Sequence, residues 1–341
     1  MKRNLPYLLV VLLCGLAAAL VLLDQRVDVV DANHLPAPWM QQALVHQHPL
    51  LPLPPAPTLD PRHVALGESL FHDRLLSRDQ TVSCASCHDL QRGGTDRLAR
   101  SRGVDGLEGP TNAPTVFNVA LDFVFMRDGS AASLEAQMAG PLYARHEMGS
   151  DWETVLERLS RHEEYARLFA AAYPDGLTEA NVASAIATFQ RSLLTPDAPF
   201  DRYLQGDAAA LDARALAGYQ LFKTRGCTSC HQGANIGGNM FQRFGVMDDY
   251  FADRGAITDA SLGRFNVTGR EQDRHVFKVP SLRNVAVTAP YFHDGSVASL
   301  EQAIAIMARY QLGLALPDEE IEAIAAFLNS LTGTFRGSPL Q

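Results

Sequence analysis

The chain has 341 residues, 47 % of them apolar, and a formal net charge of −9. That length exceeds one average domain of about 100–200 residues, so two domains are expected. The acidic balance excludes a nucleic-acid partner, which needs a basic face; a small basic protein remains compatible with it.

In chain order, Lys2 and Arg3 precede an apolar run from Tyr7 to Leu23. As a helix the run would span about 25 Å, the short end of what crosses a bilayer. The two leading cations hold the N-terminus in the cytoplasm and place the remainder outside it. The favoured reading is an uncleaved anchor over residues 1–30; a signal peptide cleaved near Ala17–Ala19 is the competing one. Residues 31–58 are proline-rich and read as an extended tether, with His34, His46 and His48 as solvated linker residues. A helix over Val64–Leu70 then leads into Ser83-Cys84-Ala85-Ser86-Cys87-His88. After a Gly- and Pro-containing loop to Pro114, helical faces appear at Trp152, Val155, Leu156 and Leu159, and at Val182, Ile186, Phe189 and Leu193. A second helix, Ala213–Phe222, leads into Cys227-Thr228-Ser229-Cys230-His231. Helices marked by Leu300, Ile304 and Met307, and by Ile321, Ile324, Phe327 and Leu328, close the chain. No run of alternating strands is present, so the class is mainly α. The organisation repeats, and two copies of one small fold, over residues 59–205 and 206–335, are the simplest account.

Four of the five cysteines form two pairs, each followed directly by histidine. Two cysteines three apart add to the vinyl groups of one porphyrin, and the adjacent imidazole reaches the iron from the same side. Two covalent heme c groups are therefore expected, at Cys84, Cys87 and His88 and at Cys227, Cys230 and His231. A zinc site would leave the fixed histidine unexplained, and a thioredoxin-like site lacks its strand-turn-helix context. The sixth iron position separates an enzyme from an electron carrier, since only an exchangeable position admits peroxide. Spacing alone leaves Met307 equally a core residue or an iron ligand.

The stretch from Pro61 to Gly333 resembles the bacterial diheme cytochrome c peroxidases. The likeness is carried by Leu70-Phe71-His72-Asp73-Arg74, Asn112-Ala113-Pro114-Thr115, Gly140-Pro141 with Glu147-Met148-Gly149, Gly263-Arg264-Phe265, Phe277 to Asn284, and Ala289 to Gly295. The resemblance implies two cytochrome c-like heme domains in tandem behind the N-terminal membrane-anchor helix. The C-terminal one would accept electrons, with His231 and Met307 as axial ligands. The N-terminal one would be peroxidatic, with His88 proximal and Gln137 and Glu147 as its distal polar pair. It also implies a calcium ion held by the Asn112 side chain and the carbonyls of Thr288 and Pro290. Hydrogen peroxide as substrate, a small cytochrome c or cupredoxin as donor, a periplasmic location and a tendency to homodimerise follow from the same likeness.

Two positions depart from the pattern. Val104 stands where the family commonly carries a displaceable histidine, which predicts an open N-terminal iron or a ligand from His72 or His146. Arg127 stands where a tryptophan relay is common; a buried guanidinium is expected to pair with carboxylates such as heme propionates, and Phe125 is a neighbouring relay. The changes also resemble the related enzyme that matures a tryptophan-derived quinone. The first reading is thus a tethered periplasmic peroxidase; the alternatives are a diheme oxidase acting on a protein and a non-catalytic diheme carrier.

Overall fold

The computed structural model describes residues 49–255 and 257–341. The expected anchor and the tether up to residue 48 lie outside the described residues. None of the described helices is long and apolar enough to cross a membrane.

Helix α1 (Pro61–His72) starts on a proline, with the Asp60 carboxylate accepting the Arg62 N–H. The single turn α2 (Cys84–Cys87) follows Ser83. A long loop leads to the short helices α3 (Leu134–Gln137) and α4 (Ala139–Tyr143). Helices α5 (Trp152–Arg161), α6 (Glu163–Ala172) and α7 (Glu179–Ser192) complete the first half. The second half has α8 (Pro199–Leu204), α9 (Ala213–Thr224), a 3-10 turn at Cys227–Ser229, α10 (Tyr250–Arg254) and α11 (Phe265–Thr268). It closes with α12 (Leu300–Leu312) and α13 (Asp318–Asn329). The expectation of a helical class holds. The chain adds two antiparallel ribbons too short to announce themselves by alternation: β1 (Phe241–Arg243) with β2 (Val276–Lys278), and β3 (Thr334–Phe335) with β4 (Ser338–Pro339).

Each half is organised by one tight helix crossing. A Cβ at Gly67 of α1 would lie 2.0 Å from the Ala185 carbonyl oxygen of α7; a Cβ at Gly218 of α9 would lie 1.8 Å from that of Ala323 of α13. Only glycine allows backbones this close. One turn beyond each glycine a phenylalanine packs on the partner helix: Phe71 on Phe189 with centroids 5.3 Å apart, Phe222 on Phe327 at 5.1 Å. Around the first crossing Leu66, Leu70, Val155, Leu159, Phe169, Val182 and Ile186 form one core. Around the second, Phe200, Tyr219, Ile304, Ile324 and Leu328 form another.

The halves meet at Thr195. Asn118 and Asn284 both adopt the left-handed conformation (φ 60° and 61°). Their side-chain amides donate to the same Thr195 hydroxyl, at 2.8 and 3.0 Å. Asn118 Oδ1 accepts the Thr195 N–H (3.0 Å), and Asn284 Oδ1 accepts that of Gly333 (3.0 Å). From these asparagines two stretches run as copies at a constant offset. Each has a 3-10 turn starting Val-Ala and a bridged hairpin, Phe125 with Ala131 and Tyr291 with Val297. Each then has an Asp-Gly turn with positive φ at Gly129 and Gly295 and a serine N-cap, Ser133 for α3 and Ser299 for α12.

The end of the expected tether is not a free linker. Leu50 is fully buried in the second core, and the Leu51 N–H donates to the Gly233 carbonyl at 3.2 Å. Arg283, whose side chain is wholly buried, forms a two-pronged pair with Asp201 (2.8 and 2.9 Å) and also donates to the carbonyls of Leu51 and Ala234. Asp201 Oδ1 in turn accepts the Leu53 N–H at 3.2 Å. The leucines between the prolines give this stretch an apolar surface to bury. Removing one partner of such a pair leaves an uncompensated buried charge, so Asp201→Ala should lower unfolding free energy by about 3–5 kcal/mol in denaturant titration, and an Asp201→Leu/Arg283→Met double variant should lose less than either single change.

Candidate active site

Both Cys-x-x-Cys-His segments form the same single turn. The His88 N–H donates to the Cys84 carbonyl (2.9 Å) and the His231 N–H to that of Cys227 (3.0 Å). The turn gathers two sulfurs and an imidazole at the end of the segment that follows α1 or α9. All four cysteines are free of disulfides. Burial pushes the thiol of Cys84 up to about 12 and those of Cys87 and Cys227 up to about 11. Thiol–disulfide centres work through thiolates at ordinary pH, so these sulfurs are unsuited to that chemistry. Nor do three or more His, Cys, Asp or Glu side chains assemble into a metal cluster among the described residues.

The imidazoles are oriented for iron. His88 Nδ1 lies 2.9 Å from the Pro114 carbonyl. A carbonyl only accepts, so the proton sits on Nδ1 and Nε2 keeps its lone pair. His231 Nδ1 faces the Ile236 carbonyl at a longer 3.4 Å. Burial lowers both histidines' affinity for a second proton, His231 to about 4. Paired sulfurs and a neutral imidazole with a free Nε2 fit a covalently attached heme at both turns. Sequence reasoning missed the two carbonyls, because any residue type supplies one.

The two halves differ at the positions expected to supply a sixth ligand. Met307 sits on α12, half-buried, while Leu300, Ala303 and Ile304 of the same helix pack the second core. By the internal copy that starts at Asn118 and Asn284, the first-half counterpart of Met307 is Pro141. There the single long helix is replaced by α3 and α4, and proline carries no iron-binding group. The Met148 N–H donates to the Pro141 carbonyl (3.1 Å), which folds Glu147 back beside α4. The Glu147 side chain keeps 40 % of its surface exposed, with His146 Nε2 3.7 Å from its carboxylate. Partial burial raises its pKa above the ordinary glutamate value, and His146 opposes the rise. Val104 is fully buried, and its N–H donates to the Glu147 carbonyl at 2.9 Å. The position of the missing histidine therefore abuts Glu147. His146 is the nearby histidine. His72 instead bonds the Glu68 carbonyl and packs edge-on against Phe71. Gln137 ends α3 with its amide 3.6 Å from Met126 Sδ; no hydrogen bond joins it to Glu147 among the described residues.

Two of the three oxygens expected to bind calcium, the Asn112 side-chain oxygen and the Pro290 carbonyl, are already engaged. Asn112 Nδ2 donates to the Pro290 carbonyl at 2.9 Å. Arg127 Nη2 donates to the Asn112 carbonyl at 2.9 Å and also to Asn112 Oδ1. Thr288 contributes its hydroxyl to the Val285 carbonyl (3.1 Å). Calcium requires six to eight oxygens facing it at about 2.3–2.6 Å; here an amide N–H meets the Pro290 carbonyl and a guanidinium meets the Asn112 side-chain oxygen. As bonded here, Asn112 and Pro290 do not fit the ion.

Comparison with known proteins adds to this geometry. Residues 61–209 match the family model for "Di-haem cytochrome c peroxidase", and residues 215–332 match that for "Cytochrome c". The chain is 46 % identical over 288 residues to the cytochrome c peroxidase Ccp of Escherichia coli K12, covering 84 % of this chain and 62 % of that protein. It is 41 % identical over 286 residues to the cytochrome c551 peroxidase of Nitrosomonas europaea, covering 83 % and 84 %. Among solved structures, a MauG-like protein associated with microbial copper homeostasis superposes with a TM-score of 0.73 at 30 % identity, covering 84 % of this chain and 93 % of that one.

Proposed function

This chain belongs to the diheme cytochrome c peroxidase family, and on that premise we propose that it reduces hydrogen peroxide to water with electrons from a small c-type cytochrome or a cupredoxin. Peroxide, two electrons and two protons give two waters. Two covalent heme c groups, on Cys84, Cys87 and His88 and on Cys227, Cys230 and His231, supply the redox chemistry. The observation that carries the reading is the asymmetry of the internal copy: a thioether at Met307, a proline at the equivalent Pro141 with a carboxylate beside it.

The division of labour follows. Residues 206–335 receive electrons, because histidine–methionine ligation raises an iron potential. Residues 59–205 meet peroxide. Glu147, in a half-dry position, accepts a proton from the inner peroxide oxygen and returns it to the departing one. Gln137 orients the oxygens. Val104 and Pro141 supply no sixth ligand, which favours an enzyme over a pure carrier. We further place the protein in the periplasm, tethered to the inner membrane through residues 7–23 and able to pair as a homodimer.

Three outcomes test this. Met307→Ala should abolish the long-wavelength sulfur-to-iron absorption band of the oxidised protein while both hemes stay attached; an unchanged band removes Met307 from the iron. Glu147→Gln should reduce peroxide turnover by about 10²–10⁴-fold. The carboxylate is the proton-accepting form and its pKa is raised, so wild-type kcat/KM should rise with pH through a pKa above the ordinary glutamate range, and the variant should lack that limb. Finally, the oxidised protein should show a high-spin heme signal and turn over peroxide with a reduced small cytochrome c without pre-incubation in reductant. Absence of turnover even after half-reduction rejects the peroxidase reading.

A further inference from the structure

The halves contact each other through two loop crossings that the internal copy makes counterparts. At one, Lys278 Nζ bonds Asp122 Oδ2 and the Val124 carbonyl (3.1 Å), and Asn235 Nδ2 adds a bond to Asp122 Oδ1 (2.7 Å). This pair is nearly out of water, with 12 % of the Lys278 side chain and 8 % of that of Asp122 exposed. At the other crossing the counterpart of Lys278 is Asn112, and those of Asp122 and Val124 are Thr288 and Pro290. Asparagine is neutral and brings no cation to its crossing. Arg127 supplies one, its Nη2 donating to both oxygens of Asn112 while Asn112 Nδ2 closes on the Pro290 carbonyl. The Arg127 carbonyl is held by the Lys278 N–H at 2.8 Å, which ties the two crossings together. The Asp294 carboxylate, paired with Arg254, adds a favourable charge interaction.

From this geometry we propose that the Arg127 guanidinium is the resident cation of the Asn112 crossing and replaces calcium there, so that the protein is calcium-independent. A guanidinium brings a positive charge and a planar fork of donors, sheds little hydration on burial, and here meets both oxygens of Asn112. An entering divalent ion would have to displace it or face its charge at close range in a poorly solvated place. At the sister crossing a side-chain cation also does the holding: Lys278 bonds a carboxylate and a carbonyl of the opposite half directly, whereas Arg127 acts through Asn112, whose amide makes the crossing to Pro290. The inference rests on the family reading only for the choice of calcium as the ion replaced.

The test uses the full, heme-loaded chain and does not require turnover, so a protein that fails as a peroxidase is still informative. Calcium content by atomic emission and thermal melting are compared after dialysis against EGTA and against excess calcium chloride. Wild type should carry no stoichiometric calcium and melt identically in both. Arg127→Ala frees the Asn112 oxygens; it should melt several degrees lower in EGTA and recover part of that loss in calcium chloride. Arg127→Lys keeps a cation and should stay insensitive to calcium. One calcium per wild-type chain, or wild-type melting that calcium raises, overturns the proposal. So does an Arg127→Ala protein whose melting ignores calcium. If that variant does not accumulate, the wild-type calcium content and melting decide the matter alone.

Discussion

Two helix crossings without a side chain between them set the rest of the molecule. Gly67 against the Ala185 carbonyl and Gly218 against that of Ala323 bring backbones closer than any Cβ permits. The phenylalanines one turn later pack each pair together, Phe71 on Phe189 and Phe222 on Phe327. With α1 and α9 fixed in this way, the short segments after them deliver each Cys-x-x-Cys-His turn to one place. The loop carbonyl that meets the imidazole then fixes its tautomer. The cofactor sites are therefore consequences of a backbone contact some distance away.

Much of this was legible in the sequence, and the boundary has physical causes. Repeats at three and four residues located α7 from Val182 to Leu193 and α13 from Ile321 to Leu328, because burial on one face imposes that period. The heme turns were legible because their chemistry needs three residue types at fixed spacing. Local patterns could not reveal Arg283 with Asp201, 82 residues apart, or the Pro114 and Ile236 carbonyls, which no residue type encodes. The equivalence of Pro141 and Met307 was present in the text of the chain, as Asn-Val-Ala at Asn118 and again at Asn284. It became readable once φ, hairpin and cap coincided in both copies.

The copies also show how one fold is varied between two halves. Each element of the first loop has its match in the second, and the differences fall on single side chains: Pro141 for Met307, Asn112 for Lys278, Arg127 for His293. Substitutions at this level leave the crossings intact and change single side chains on the copied elements and between the halves. The seam around Thr195 is built from neutral amides, and the charged contacts flank it. Its geometry is thus held by short directional bonds, while the flanking cations vary in identity.

Two distant stretches of the chain cross over between the cores. Leu50 is buried with the second, whereas Leu340 packs in the first, beside Phe335, whose ring lies 5.0 Å from that of Phe117. A polypeptide that emerges from the ribosome or a translocation pore does so N-terminus first. The first core is then completed by residues made after those of the second, and Leu50 waits for a surface made much later. Cutting the chain between the halves would therefore leave each core short of residues carried by the other fragment.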